Sequence, residues 1–111
     1  MLQIKSKIWI EADGELILSD GRMALLQAID ELGSISKAAQ RMRMSYRAAW
    51  GKLKTTEKRM GVRLLEVKVG GRNGGGAKLT RQARILMQRY QAVKEAVNRE
   101  ADLMFAKAFL K

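Results

Sequence analysis

The chain has 111 residues and a formal net charge of +11, from 22 Lys+Arg against 11 Asp+Glu, and contains no histidine, cysteine or proline. One domain accommodates that length, and an apolar fraction of 47% is enough for a core when suitably patterned. The missing Cys and His exclude disulfide scaffolds, thiolate or imidazole metal sites and Ser-His or Cys-His catalysis, which leaves an acid/base enzyme only Asp, Glu, Lys or Tyr with few carboxylates to choose from; no metal, cofactor or catalytic residue is assigned, and the basic balance points to a polyanionic partner.

In chain order, Ile4 to Ile10 alternate apolar and polar, and Asp13-Gly14 separates them from Glu15-Leu-Ile-Leu18, which predicts a β-hairpin. Trp9 on its first arm is read as core or dimer interface. Ser19 or Asp20 can cap a first helix with apolar positions Leu25, Leu26, Ile29 and Leu32, stopped at Gly33. Ser34 or Ser36 can cap a short second helix through Met42, and Ser45 a third from Tyr46 to Met60, stopped at Gly61. Two helices so closely spaced make a helix-turn-helix.

On the third helix Ala49, Leu53, Thr56 and Met60 recur at core-facing spacing, which leaves Arg47, Gly51, Lys54 and Lys58 on the outer side and Tyr46 and Trp50 on its flank. A basic outer face of this kind suits a major groove. Next come a β-like run from Arg63 to Val69, a linker from Gly70 to Gly76 in which five of seven residues are glycine, and Ala77 to Thr80. Strand, loop and strand after a third helix predict a wing. A P-loop is excluded, because Gly76 is followed by Ala77 and the lysine is out of register.

Thr80 can cap a last helix with no breaker before Lys111, whose apolar positions include Leu86, Tyr90, Val93, Val97 and Met104 at near-heptad spacing. Such a helix, about 45 Å long at 1.5 Å per residue, outreaches a compact domain and calls for a partner, most economically in a two-fold homodimer through those five residues. The alternative is a helix folded back over its own core. The organisation expected is a winged helix-turn-helix over residues 1–80 and a dimerisation helix over 81–111, mainly α with small β. With no apolar run long enough for a signal peptide or a membrane span, the chain reads as cytoplasmic, with no membrane partner.

Charge is concentrated. Residues 1–33 carry net −3, 34–62 carry +7 with a single acid, 63–81 carry +4 and 82–111 carry +3. The second and third helices and the wing are therefore the predicted contact surface, and the acidic first third is expected to face away from it.

The stretches Gly33-Ser-Ile-Ser-Lys-Ala-Ala39, Ser45-Tyr-Arg-Ala-Ala-Trp50 and Gly70-Gly-Arg-Asn-Gly-Gly-Gly-Ala-Lys-Leu-Thr80 resemble the amino-terminal DNA-binding domain of the ModE family of molybdate-responsive transcription regulators. The helix-turn-helix alone also fits LysR-type regulators. The resemblance implies a winged helix-turn-helix, a carboxy-terminal helix that pairs two subunits, and a palindromic operator in double-stranded DNA. Family members commonly continue into oxyanion-binding domains, which would begin where this sequence ends. Effector sensing is therefore not carried over, and molybdate or another oxyanion is not expected on this chain.

Within that frame Arg47 either reads a guanine edge or grips phosphate, while Lys37, Arg41, Arg43, Lys54 and Lys58 are assigned to phosphates. Ser34, Ser36 and Ser45 combine capping with phosphate contact, and Tyr46 offers its hydroxyl to a phosphate. Trp50 either packs between helix and wing or touches DNA. Arg72 and Lys78 are assigned to the wing's DNA contacts. The rival expectation is a non-specific architectural DNA- or RNA-binding protein, although six aromatics with only Trp9 on a predicted strand offer no RNA-stacking platform.

Overall fold

The computed structural model describes residues 1–68 and 76–110. Eight elements follow in order: β1 (Trp9–Ala12), β2 (Glu15–Ser19), α1 (Asp20–Leu32), α2 (Ile35–Arg41), α3 (Tyr46–Met60), β3 (Leu65–Lys68), β4 (Gly76–Leu79) and α4 (Arg81–Phe109). Local chemistry sets most boundaries. Asp13 and Gly14 turn the first hairpin with φ of 53° and 78°, the left-handed pair that a type I′ turn requires. Ser19, Ser34, Ser45 and Thr80 each accept a hydrogen bond from the backbone N–H three residues on, capping the four helices.

β1 pairs antiparallel with β2, and β3 with β4 from Leu65 opposite Leu79 to Lys68 opposite Gly76. The second hairpin is docked through β4 and closed at its base. The Ala77 amide donates to the Gly33 carbonyl at 2.9 Å, and the Thr80 amide to the Leu64 carbonyl at 2.9 Å. The first of these bonds ties β4 to the junction of α1 and α2, and the second closes the base of the hairpin.

Leu25, Leu26 and Ile29 of α1 form the centre of the core, with Ile17, Leu18, Ala38, Ala39, Leu53 and Leu64 packed around them. The alanines of α2 let that helix approach α1 closely. Leu32, assigned to this face, is only half-buried, and Ala28 fills the buried position instead.

Three expectations need correction. The first strand begins at Trp9, not near Ile4, because β2 has only five residues, the last being Ser19, which turns the chain into α1 and leaves nothing for earlier residues to pair with. Those residues run beside α4 instead, where Ser6 Oγ donates to Asn98 Oδ1 and the Ile8 carbonyl accepts from the Tyr90 hydroxyl. Trp9 is no core residue: it is half-exposed, with its indole N–H on Glu11. Leu86 and Tyr90, assigned to a dimer seam, are 9% and 2% exposed because the start of α4 crosses this chain's own core. Beyond Tyr90 the helix leaves that core, and the molecule measures 63 × 30 × 23 Å.

The Tyr90 hydroxyl joins the amino-terminal segment, α1 and α4, lying 2.9 Å from Asp20 Oδ1 and 3.1 Å from the Ile8 carbonyl. That bond and Lys94, 3.2 Å away, hold the Asp20 carboxyl below its ordinary range. Burial, then the Asp20 carboxylate, push the tyrosine up from 10.0 to about 12. The folded chain thus keeps a proton that the unfolded chain releases above pH 10, so stability falls as pH rises from 10 to about 12. Tyr90→Phe is expected to cost about 1 kcal/mol at neutral pH and to abolish that alkaline component, as read from urea unfolding across the range.

Candidate nucleic-acid interface

Between Arg41 and Ser45 the chain turns sharply, aided by a left-handed Arg43 at φ 57°. The turn sets α3 across α2. Ala49, Leu53 and Thr56 are buried, whereas Arg47, Gly51, Lys54 and Lys58 are exposed along the opposite side.

What aims that side is a buried polar joint. Thr56 Oγ1 donates to the Ile17 carbonyl at 2.5 Å and accepts from Arg22 Nη1 at 3.0 Å. The same Arg22 nitrogen lies 3.1 Å from the Ile17 carbonyl and 3.3 Å from that of Lys52. Burial holds the Arg22 guanidinium below its usual range, opposed by the charge of Glu15. Further along α3, Arg59 Nε donates to Glu15 at 2.8 Å and Arg59 Nη1 to Asp13 at 3.4 Å, tying the helix end to the first hairpin.

On the exposed flank Tyr46 and Trp50 stack with centroids 6.4 Å apart and planes 11° apart. Lys54 Nζ sits 4.4 Å from the Trp50 ring centroid and 3.1 Å from Glu57 Oε1. The other Glu57 oxygen accepts from the Leu64 amide at 2.8 Å, where the wing begins. Trp50 stands 37% exposed at a cleft of about 290 Å³ between α3 and β3, lined also by Leu53, Lys54, Glu57, Arg63, Leu65 and Val67. The indole thus packs beside the wing and keeps an exposed edge.

The cations assigned to phosphate differ in availability. Arg41 is paired with Glu31, whose carboxyl it holds below the ordinary range, and Lys54 is held by Glu57 and Trp50. Lys37, Arg43, Arg47, Lys58 and Lys78 are exposed, with no ion pair among the described residues. Ser34 and Ser45 have their hydroxyls engaged as caps, while Ser36 is exposed on the first turn of α2. Arg72 lies outside the described residues.

Sequence reasoning missed Arg22 and Glu57. Glu57 carried a signal, being the single acid in residues 34–62. Arg22 carried none, since its partners are backbone carbonyls and a hydroxyl remote in sequence. Among the described residues, no three carboxylates gather as metal ligands and no helix is long and apolar enough to cross a membrane.

The profile of the bacterial regulatory helix-turn-helix protein, lysR family, matches residues 21–84, which span α1 through the start of α4. The chain belongs to this family. Within it, residues 21–84 hold both helices of the helix-turn-helix and the wing strands. The transcriptional regulator ModE of Haemophilus influenzae is 38% identical over 85 residues, 77% of this chain and 33% of that protein. The molybdenum transport protein ModE of Azotobacter vinelandii is 36% identical over 89 residues, 80% of this chain and 33% of that protein. The chain thus spans about a third of the length of these curated relatives. Among solved structures, the DNA complex of the CbnR DNA-binding domain matches with a TM-score of 0.57 and 25% identity, over 78% of this chain and 94% of that one. The BenM DNA-binding domain in its benA site 1 complex matches at 0.54 and 20% identity, over 81% and 96%, and shows the shared fold.

Thr56→Val removes the hydroxyl of the buried joint while nearly keeping its volume. It is expected to cost about 1–3 kcal/mol, measured by urea unfolding, because the Ile17 carbonyl and Arg22 each lose a buried partner.

Proposed function

We propose that this chain is the DNA-binding unit of a ModE-type, LysR-like transcription regulator that binds a palindromic operator as a homodimer and has no catalytic activity. The observation that carries the reading is the exposed cationic side of α3, held outward by a neutral, buried inner side. The likeness to a domain described in complex with DNA supports it.

In this reading α3 enters the major groove, and Arg47, near the helix start, bonds a guanine edge. Lys37, Arg41, Arg43, Lys54 and Lys58 engage phosphates, with Ser34, Ser36, Ser45 and Tyr46 adding neutral contacts. Glu57 fixes where Lys54 is presented. Lys78 on β4 and Arg72 contact flanking DNA from the wing. Trp50 braces the cleft beside the passing backbone. Residues 1–80 form the DNA-reading part, and 81–111 the dimerisation helix. The regulator acts on DNA in the cytoplasm.

Dimerisation falls to the part of α4 beyond the core, where Val93, Val97 and Met104 are 52%, 38% and 53% exposed. A two-fold pairing there would cover them and set the half-sites about 34–36 Å apart, or a multiple of that.

Selection from a random duplex pool tests the reading: a recovered palindrome supports it, whereas failure to enrich any sequence favours a non-specific architectural protein. On the recovered site, Arg47→Ala is expected to lose about 1–3 kcal/mol of discrimination at one position of each half-site. Lys58→Ala should weaken all sequences alike and reduce the slope of log affinity against log salt by about 0.9, measured by fluorescence anisotropy. Val97→Asp should yield a folded monomer in sedimentation analysis.

A further inference from the structure

Gly51 lies in the interior of α3, where glycine is less favourable than alanine because it loses more backbone freedom on folding. Four other glycines have reasons within the chain, while Gly21, in the first turn of α1, meets only Ser19 Oγ at 3.7 Å. Gly14, Gly33 and Gly61 adopt φ of 78°, 68° and 67°, and a Cβ on Gly76 would stand 3.4 Å from the Gly33 carbonyl oxygen. Gly51 has neither. Its φ is not positive, it is exposed, and a Cβ built there would meet nothing within 4 Å. The folded chain gives no steric cause for omitting a side chain at that point.

The position nevertheless falls on the cationic side, four residues after Arg47 and three before Lys54. A helix with its side chains is about 10–12 Å across, and the major groove is about 12 Å wide and 8.5 Å deep, so the fit is tight and bulk on the leading side limits depth. We propose that Gly51 is where the α3 backbone comes closest to the floor of the major groove, and that its missing side chain determines specificity by letting Arg47 reach the base edges. The inference rests on the DNA-binding reading above and names a residue which that reading leaves without a role. A methyl group at position 51 meets nothing in the free protein and meets the base edges in the complex.

The test compares wild type, Gly51→Ala and Gly51→Leu, using thermal unfolding together with anisotropy titrations of the duplex selected by wild type and of a random duplex. Gly51→Ala is expected to raise Tm by about 2–5 °C. The same variant should bind the selected duplex about tenfold more weakly, with binding to random duplex unchanged and Gly51→Leu weaker still. Wild-type affinity for the selected duplex in both variants overturns the inference and leaves the DNA-binding reading standing. So does a loss of Tm in Gly51→Ala, which would place the glycine's role inside the fold. If wild type selects no duplex, the DNA-binding reading fails and this inference fails with it.

Discussion

The orientation of α3 depends on one hydroxyl. Thr56 is 2% exposed on the inner side of the helix, and its Oγ1 both donates to the Ile17 carbonyl on β2 and accepts from Arg22 on α1. A buried hydroxyl without a partner is costly, so the rotation of α3 about its own axis is restricted to the setting that satisfies all three groups. Once that rotation is set, the outward direction of Arg47, Lys54 and Lys58 follows from helical spacing. A purely apolar contact would tolerate a small roll of the helix. The polar joint does not.

The acids form a second layer of constraint. Asp13 and Glu15 hold Arg59, Asp20 holds Lys94, Asp30 holds Arg84 through two oxygens, and Glu31 holds Arg41. Arg84, in turn, lowers the Asp30 carboxyl, and Asp30 raises the arginine. Most of these pairs are solvent-exposed and individually weak. Their joint effect is to engage Arg41, Arg59, Arg84 and Lys94 while Arg47 and Lys58 on α3 carry no ion pair among the described residues. Glu57 is the exception within the basic region, and both of its oxygens are used, on Lys54 and on the Leu64 amide.

Much of this architecture was legible in the residues. The Asp-Gly turn, four Ser/Thr caps and the stops at Gly33 and Gly61 are local signals whose physics is complete within a few residues, so they placed the helices and the first hairpin. Helical spacing likewise separated the buried Ala49, Leu53 and Thr56 from the exposed Arg47 and Lys58. Alternation misled from Ile4 to Ile8, since a strand needs a partner and β2 was too short to supply one. Heptad spacing misled at Leu86 and Tyr90 because it registers an apolar face without saying what covers it.

The balance of charge and of residue types is the sequence's own contribution. By itself it determined that the chemistry would be basic, that Cys and His would play no part, and that no proline would interrupt α4. Only the tertiary structure decided which cations remain free. Arg41, Arg59 and Arg84 find carboxylates 10, 44 and 54 residues away, whereas Arg47 and Lys58 have no ion pair among the described residues. The reason is physical: caps, turns and helical faces arise between near neighbours, but the availability of a charge depends on which distant group the folded chain brings beside it.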